Sequence, residues 1–346
     1  MLYVTARDHR DAYTAHRALT LDRAADGGLY IPFRLPRYTH QQIASLAARP
    51  FSQNIAEILN LFFGCRLTGY DVEFCIGRAP VRFKALSHRI YVCELWHDPE
   101  WNFEWIVRRL SGLILSRYQI SHCSEWTYVA VRIAVLFGAF GQLMRSGVIG
   151  AGDRVDVSLV SGDFSAPMAV WYARTMGLPV GNIVCCSNEN NSLWELLHQG
   201  ALRTDSIAAD TDIPTADIAV PASLERLVHA CGGYGEAARY LEVCRRGDVY
   251  APNEVMLGRM RSGLNVSVIS TNRVPDSIRS VYSSYSYLMA PCTALAYGGL
   301  LDYRSGAGES RCALVLSDNS PAVDELRIAD AMGIPLTQVK ELIDQM

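Results

Sequence analysis

Lysine is scarce in this chain. Of the 32 basic residues only Lys84 and Lys340 are lysines, and the others are arginine. Arginine stays protonated and cannot form an imine, so chemistry that needs a free amine has two side chains to draw on. Metal-ligand spacing is missing as well. The ten cysteines contain no C-x-x-C pair, the nearest neighbours being Cys185 and Cys186, and the eight histidines do not cluster with them. No metal site is expected. Charge of one sign is also lacking. A net charge of −3 over 346 residues gives no global field for nucleic acid or an anionic membrane, and neither is expected as a partner. No repeat or low-complexity tract appears, and a 50% hydrophobic composition is enough to bury a substantial core.

The opening residues MLYVTARDHRD are polar and charged, with no secretory apolar stretch. A cytoplasmic location with free, mostly buried thiols is the expectation. The longest apolar run, Trp126 to Met144, carries Arg132 at its middle and Gln142 near its end. A charge at mid-span is expensive in lipid, so the run reads as a buried core helix.

What is present is an alternating pattern. The first 30 residues read as a polar, helix-compatible segment ending in the turn Asp26-Gly27-Gly28, followed by the short apolar run Leu29-Tyr30-Ile31. Helical spacing runs from Thr39 to about Gly64, with Ile55, Ile58, Leu59 and Phe62 on one face. Residues 89–95 suit a strand and 105–118 a helix. From Arg154 to Gly200 the pattern is β-α-β-α: strand 155–160, helix 166–176, strand 182–186, helix 192–198. A late strand (312–316) and a terminal amphipathic helix around Val339, Leu342 and Ile343 follow. This is the grammar of an α/β fold with a parallel sheet.

The loop Ser161-Gly162-Asp163-Phe164-Ser165 closes a strand and opens a helix. Free N–H groups at such an end favour an anion, and Gly162 permits close backbone approach. The alternative is that Asp163 or Ser161 simply caps the helix. The aspartate itself argues against phosphate, because its charge repels a dianion.

Several segments in order resemble threonine synthase, a pyridoxal-phosphate enzyme of the tryptophan synthase β-like fold (fold type II). Residues 24–32 (AADGGLYIP) are similar to that family's "DGGLYVP", and residues 94–99 (ELWHDP) to its "ELFHGP". Residues 161–166 with 172–179 (YARTMGLP) are similar to "SGNFGN…YYAKKMGLP". Residues 187–191 (SNENN) match "TNEND", and 216–227 match "MDISVPSNFERL". Pro291 to Ala294 and Ser317 to Ala322 are similar to "PHTA" and "STASPAK". The likeness implies the family's large lobe, with residues 1–88 as an N-terminal segment and 89–346 as the α/β domain.

Departures fall where the chemistry belongs. The family continues "AFKD", whose lysine holds the cofactor as an imine; the same register here places Glu104 at that position. Asp98 and Glu100 make the stretch acidic. Nineteen residues separate Glu104 from Ser124, where the resemblance resumes with the family's "SINW" helix, so the small lobe with its "SGDTG" loop is expected to be largely deleted around 105–123. Asp163, Ser165 and Cys292 replace the family's Asn, Gly and His. Lys84, in Phe83-Lys84-Ala85, lies upstream of Glu94 on the wrong side to supply the imine, and both lysines read as surface residues.

The resemblance therefore implies a threonine synthase-like pseudoenzyme that needs no pyridoxal phosphate. Ser161, Gly162, Asp163, Phe164 and Ser165 would form a remnant loop able to hold a small polar metabolite. The face bared by the missing lobe would meet a second copy or an intact homologue. The alternatives are a repurposed acid/base site using Glu104, Asp98 and His97, and a surviving carbon–oxygen lyase that makes threonine from O-phosphohomoserine.

Overall fold

A computed structural model describes residues 1–78, 81–96, 102–119, 124–307 and 311–346. His97, Asp98, Glu100 and Cys123 lie outside them. The N-terminal segment departs from the helical expectation. Strand β1 (Leu2–Thr5) pairs antiparallel with β2 (Tyr13–Thr14) and β3 (Tyr30–Pro32), and only the six residues Ala15–Thr20 between them form a helix, α1. Tyr3 and Val4 are fully buried, and the Tyr3 hydroxyl donates to the Phe62 carbonyl, so burial overrides the polar local sequence.

Helix α2 (His40–Ser45) starts from a reciprocal cap between Thr39 and Gln42. Helix α3 (Phe51–Phe63) buries the expected stripe of Ile55, Ile58, Leu59 and Phe62. Helix α4 (Gly69–Ile76) leads to an antiparallel hairpin, β4 (Arg82–Ser87) and β5 (Ile90–Glu94), with its turn at 88–89. Helix α5 (Phe103–Tyr118) is followed, six residues on, by α6 (Glu125–Arg145). Next come β6 (Val155–Val160), α7 (Ser165–Thr175), β7 (Val180–Ser187) and α8 (Ser192–Gln199), within two residues of the sequence reading. A two-stranded pair, β8 (Leu202–Arg203) and β9 (Val249–Tyr250), brackets α9 (Leu224–Gly232) and α10 (Tyr234–Arg246). The chain ends through α11 (Glu254–Arg261), β10 (Leu264–Val268), α12 (Val274–Tyr285), α13 (Pro291–Ala307), β11 (Ala313–Ser317), α14 (Glu325–Met332) and α15 (Leu336–Asp344).

The central sheet has the order β10-β7-β6-β11-β5-β4. Five strands are parallel and the edge strand β4 is antiparallel, so the sheet is mixed rather than wholly parallel. Both faces are covered, which is why its strands are nearly continuous apolar runs. Ile183, Cys185, Leu314 and Leu316 face one core with α3, α6 and α7, while Val184, Cys186, Ala313 and Val315 face another with α12 and α13. The adjacent Cys185 and Cys186 therefore point to opposite faces, and all nine described cysteines are free. Helix α13 sits unusually close to the sheet: a Cβ on Gly299 would stand 2.2 Å from the Cys186 sulfur. Helix α6 is long and apolar enough to cross a membrane, yet 83% of its most apolar window is buried inside the protein.

Candidate functional site

Parallel strands deliver their following loops to one end of a sheet, which is where α/β folds place ligands. At that end β6 and β11 open a cavity of about 320 Å³, closed on one side by the start of α5 and on another by residues 214–218. Glu104, Ser161, Gly162, Asp163 and Ser165 all line it. Phe164 does not; its ring is fully buried beneath the loop. These five residues, drawn from segments 57 residues apart in the sequence, share one wall.

The loop is a strained turn. Gly162 has φ +46°, with the Thr215 carbonyl 3.2 Å from where a Cβ would lie, and Phe164 also adopts a left-handed φ of 71°. That geometry turns the Asp163 carboxylate back over the first turn of α7. Asp163 Oδ1 accepts from the Ser165 N–H at 2.9 Å and from the Ser165 hydroxyl at 2.6 Å. The N-cap residue of α7, Phe164, makes no side-chain cap, but the Ser165 N–H at the start of the helix already has a carboxylate from the chain as its acceptor.

Glu104 stands in the first turn of α5, whose N-terminus is capped by the Asn102 side chain accepting from the Trp105 N–H at 3.0 Å. It is exposed and 3.2 Å from Arg108 one turn on, a surface ion pair. Cys292, in place of the family's histidine, lines the cavity; burial pushes its thiol up to about 12, so it is a poor nucleophile. Lys84 lies on β4, half-buried, its ammonium 5.7 Å from the Tyr287 ring centre, and Lys340 on α15 pairs with Glu325 at 3.6 Å. Neither lines the cavity. Among its described lining residues there is no lysine, arginine or histidine.

One feature of the wall has no counterpart in the sequence reading. Arg132, 1% exposed at the middle of α6, donates to both oxygens of Asp318, at 2.8 and 2.7 Å, and to the Tyr128 hydroxyl at 2.8 Å. Its guanidinium also lies 3.9 Å from the Phe103 ring centre. Burial works against its charge, but Asp318 outweighs burial and keeps it protonated. Asp318, Tyr128 and Phe103 all line the cavity. The available signal is the lone charge in an apolar helix, which needs a partner wherever it is buried.

The similar segments also meet in space. Asn188 and Asn190 donate to Asp217 Oδ1 at 2.7 and 3.0 Å, and Thr211 does so at 2.7 Å, which fixes the loop that closes the cavity. Burial would raise the Asp217 carboxyl, but these hydrogen bonds hold it below the usual carboxylate range. Glu225 accepts from the Leu29 N–H at 3.2 Å and pairs with Arg7 and Arg23. Arg226, fully buried, donates to Glu125 at 2.6 Å and to the Tyr30 carbonyl at 3.2 Å. The N-terminal Gly27-Gly28-Leu29 turn is thus pinned to α9.

A family profile described as "Threonine synthase N terminus" matches residues 2–79. The crystal structure of PLP-bound threonine synthase from Brucella melitensis superposes with a TM-score of 0.83 over 99% of this chain and 94% of that one, at 19% identity. The yeast enzyme gives 0.80 at 16% identity, over 99% and 93%. In sequence, threonine synthase from Pseudomonas aeruginosa is 22% identical, over 85% of this chain and 83% of that protein. This chain has the threonine synthase fold and is similar in sequence to threonine synthases over most of its length. Threonine synthase-like 1 from Macaca fascicularis is 27% identical over 192 residues, 54% of this chain but a quarter of that protein's length. The human protein of the same description gives 26%, again over a quarter of its length. The threonine synthase-like fold is the frame on which the cavity sits.

Proposed function

We propose that this threonine synthase-like chain has given up pyridoxal-imine chemistry and acts as a binding module, its cavity holding a small polar metabolite. One observation carries the reading: Glu104, in the register of the family's lysine, and Asp163, seated on the end of α7, line the same cavity. A carboxylate cannot form an imine. A phosphate brought to α7 would meet a like charge, at a helix end whose Ser165 N–H already has its acceptor. The residues present do not fit pyridoxal phosphate. The small-lobe deletion belongs to the same reading and is supported by the six-residue step from α5 to α6.

The space suits a small ligand, with Asn102, Ser161, Thr215 and Asn319 as polar wall groups among apolar ones. Borohydride reduction after incubation with pyridoxal phosphate, read by intact mass and peptide mapping, tests the proposal. No stoichiometric adduct is expected, and phosphate release from O-phosphohomoserine should stay at background. A one-to-one adduct on Lys84 or in the cavity, or turnover of that substrate, would overturn it. The repurposed-enzyme alternative gains little from Glu104, which is exposed and paired with Arg108.

A further inference from the structure

The two edges of the central sheet are built differently. Edge strand β4 carries Arg82 and Lys84 and breaks register between Ala85 and Ser87, features that discourage another strand from pairing with it. Edge strand β10, Leu264-Asn265-Val266-Ser267-Val268, has no charge, no proline and no bulge. It pairs with β7 alone. The Ile269 N–H donates to the Ser187 carbonyl at 2.9 Å, so the backbone groups of Asn265 and Ser267 also point to β7. Those of Leu264, Val266 and Val268 point away from the sheet, where no strand among the described residues meets them. A groove of about 470 Å³ runs along the whole strand, flanked by Leu197, His198 and Arg261 and by Asp302 and Tyr303.

The strand is matched to its own reverse. Laid antiparallel on a second β10 with Val266 opposite Val266, Leu264 faces Val268 and Asn265 faces Ser267. Side chains alternate between the two faces of a strand. Leu264, Val266 and Val268 therefore form one apolar row across the seam, and Asn265 with Ser267 a row able to hydrogen-bond across it. Every outward N–H and C=O finds a partner in this register.

The same alignment brings opposite charges together. Arg261 falls level with Thr271 of the second copy. The Glu189 carboxylate accepts from the Thr271 N–H at 3.0 Å, from the Thr271 hydroxyl at 3.1 Å and from the Ser270 hydroxyl at 2.9 Å. Among the described residues it pairs with no basic side chain. Arg261 Nε donates to the Leu197 carbonyl at 2.6 Å, while its Nη1 only reaches 3.8 Å from Glu254, whose side chain is 87% exposed. That loose pair leaves the guanidinium able to turn to Glu189 across the seam.

We propose that β10 is the seam of a homodimer, pairing antiparallel with β10 of a second copy about a two-fold axis at Val266. The seam shares no residue with the cavity walls, so it is independent of what the cavity holds.

Sedimentation velocity of the full chain from low to high micromolar concentration tests it. A species of twice the 38.3 kDa chain mass, growing with concentration, is expected. Val266→Pro removes an outward N–H, leaves the ladder to β7 intact, and should weaken association at least tenfold. Arg261→Glu should weaken it at least fivefold, and E189R/R261E, which exchanges the two charges, should recover it. Leu326→Lys, at a position 67% exposed on α14, should leave it unchanged. Circular dichroism verifies that each variant is folded. Amide hydrogen exchange needs no variant: a wild-type peptide spanning 263–269 should exchange more slowly as concentration rises, while one spanning β4 stays constant. A chain that remains monomeric overturns the seam and leaves this edge to an extended strand of another protein. So does equal weakening by Leu326→Lys, or weaker association in E189R/R261E than in Arg261→Glu alone. A dimer whose exchange over 263–269 ignores concentration overturns it as well.

Discussion

Arg132 and Asp318 meet through two hydrogen bonds, 2.8 and 2.7 Å, although 186 residues separate them. The pair joins the middle of α6 to the loop after β11, so the core's longest helix and the wall of the cavity share one charge pair. Arg132 is 1% exposed and the Asp318 side chain 37% exposed, so the two ends bear different desolvation costs.

That asymmetry gives the first prediction. Asp318→Ala leaves a buried guanidinium with only the Tyr128 hydroxyl and the Phe103 face, and should cost about 3 kcal/mol of stability. Arg132→Met leaves Asp318 hydrated and should cost about half as much, on the order of 1–2 kcal/mol. Urea unfolding of both variants and the double mutant measures the difference. Equal losses would show that burial does not set the cost.

Stability should also depend on pH through His229. Burial pushes this imidazole down to about 4, beside the Tyr234 ring at 4.6 Å. The unfolded chain takes up the proton first, near the ordinary value of about 6.5. Its contribution to stability is therefore complete above pH 6.5 and is lost as pH falls from there towards 4, by on the order of 2 kcal/mol. His229→Phe should flatten that part of the Tm-against-pH curve, and an unchanged slope would assign the dependence to other groups.

Close packing of α13 yields a third outcome. With a Cβ on residue 299 only 2.2 Å from the Cys186 sulfur, Gly299→Ala must push the helix off the sheet, at a cost of about 1–3 kcal/mol. Removing the sulfur in Cys186→Ala should recover part of that loss. A double mutant as unstable as the sum of its parts would refute the clash.

How far the sequence reveals this molecule depends on how local the signal is. The β6-α7-β7-α8 run is legible because each element is short, apolar and punctuated by Ser161-Gly162 or Gly177-Leu178-Pro179. Strand β1 is not, since four residues with a polar sequel show no period and its partners are 10 to 29 residues away. Strand β10 hides for a related reason: Asn265 and Ser267 alternate with Val266 and Val268 on a half-covered edge. Motif order singles out Glu104 and the Ser161–Ser165 loop; that all of these but Phe164 share one cavity wall is a fact of tertiary packing. Arg132 shows only that it needs a partner; that the partner is Asp318 is a fact of tertiary packing.

The last prediction concerns reversal of the two acidic replacements. Glu104→Lys alone puts an amine on the cavity wall but leaves Asp163 on the end of α7, where its charge opposes a phosphate. Asp163→Asn alone keeps a side-chain acceptor for the Ser165 N–H, at a cost of about 0.5 kcal/mol or less, yet supplies no amine. Only the double variant has both an imine-forming group and a neutral helix end. After pyridoxal phosphate and borohydride it should carry a covalent adduct at position 104 in a peptide map. The wild type should carry none there, and Glu104→Lys alone should be labelled at least fivefold less at equal reagent. Equal labelling of the single and double variants would show that Asp163 does not guard the loop against phosphate.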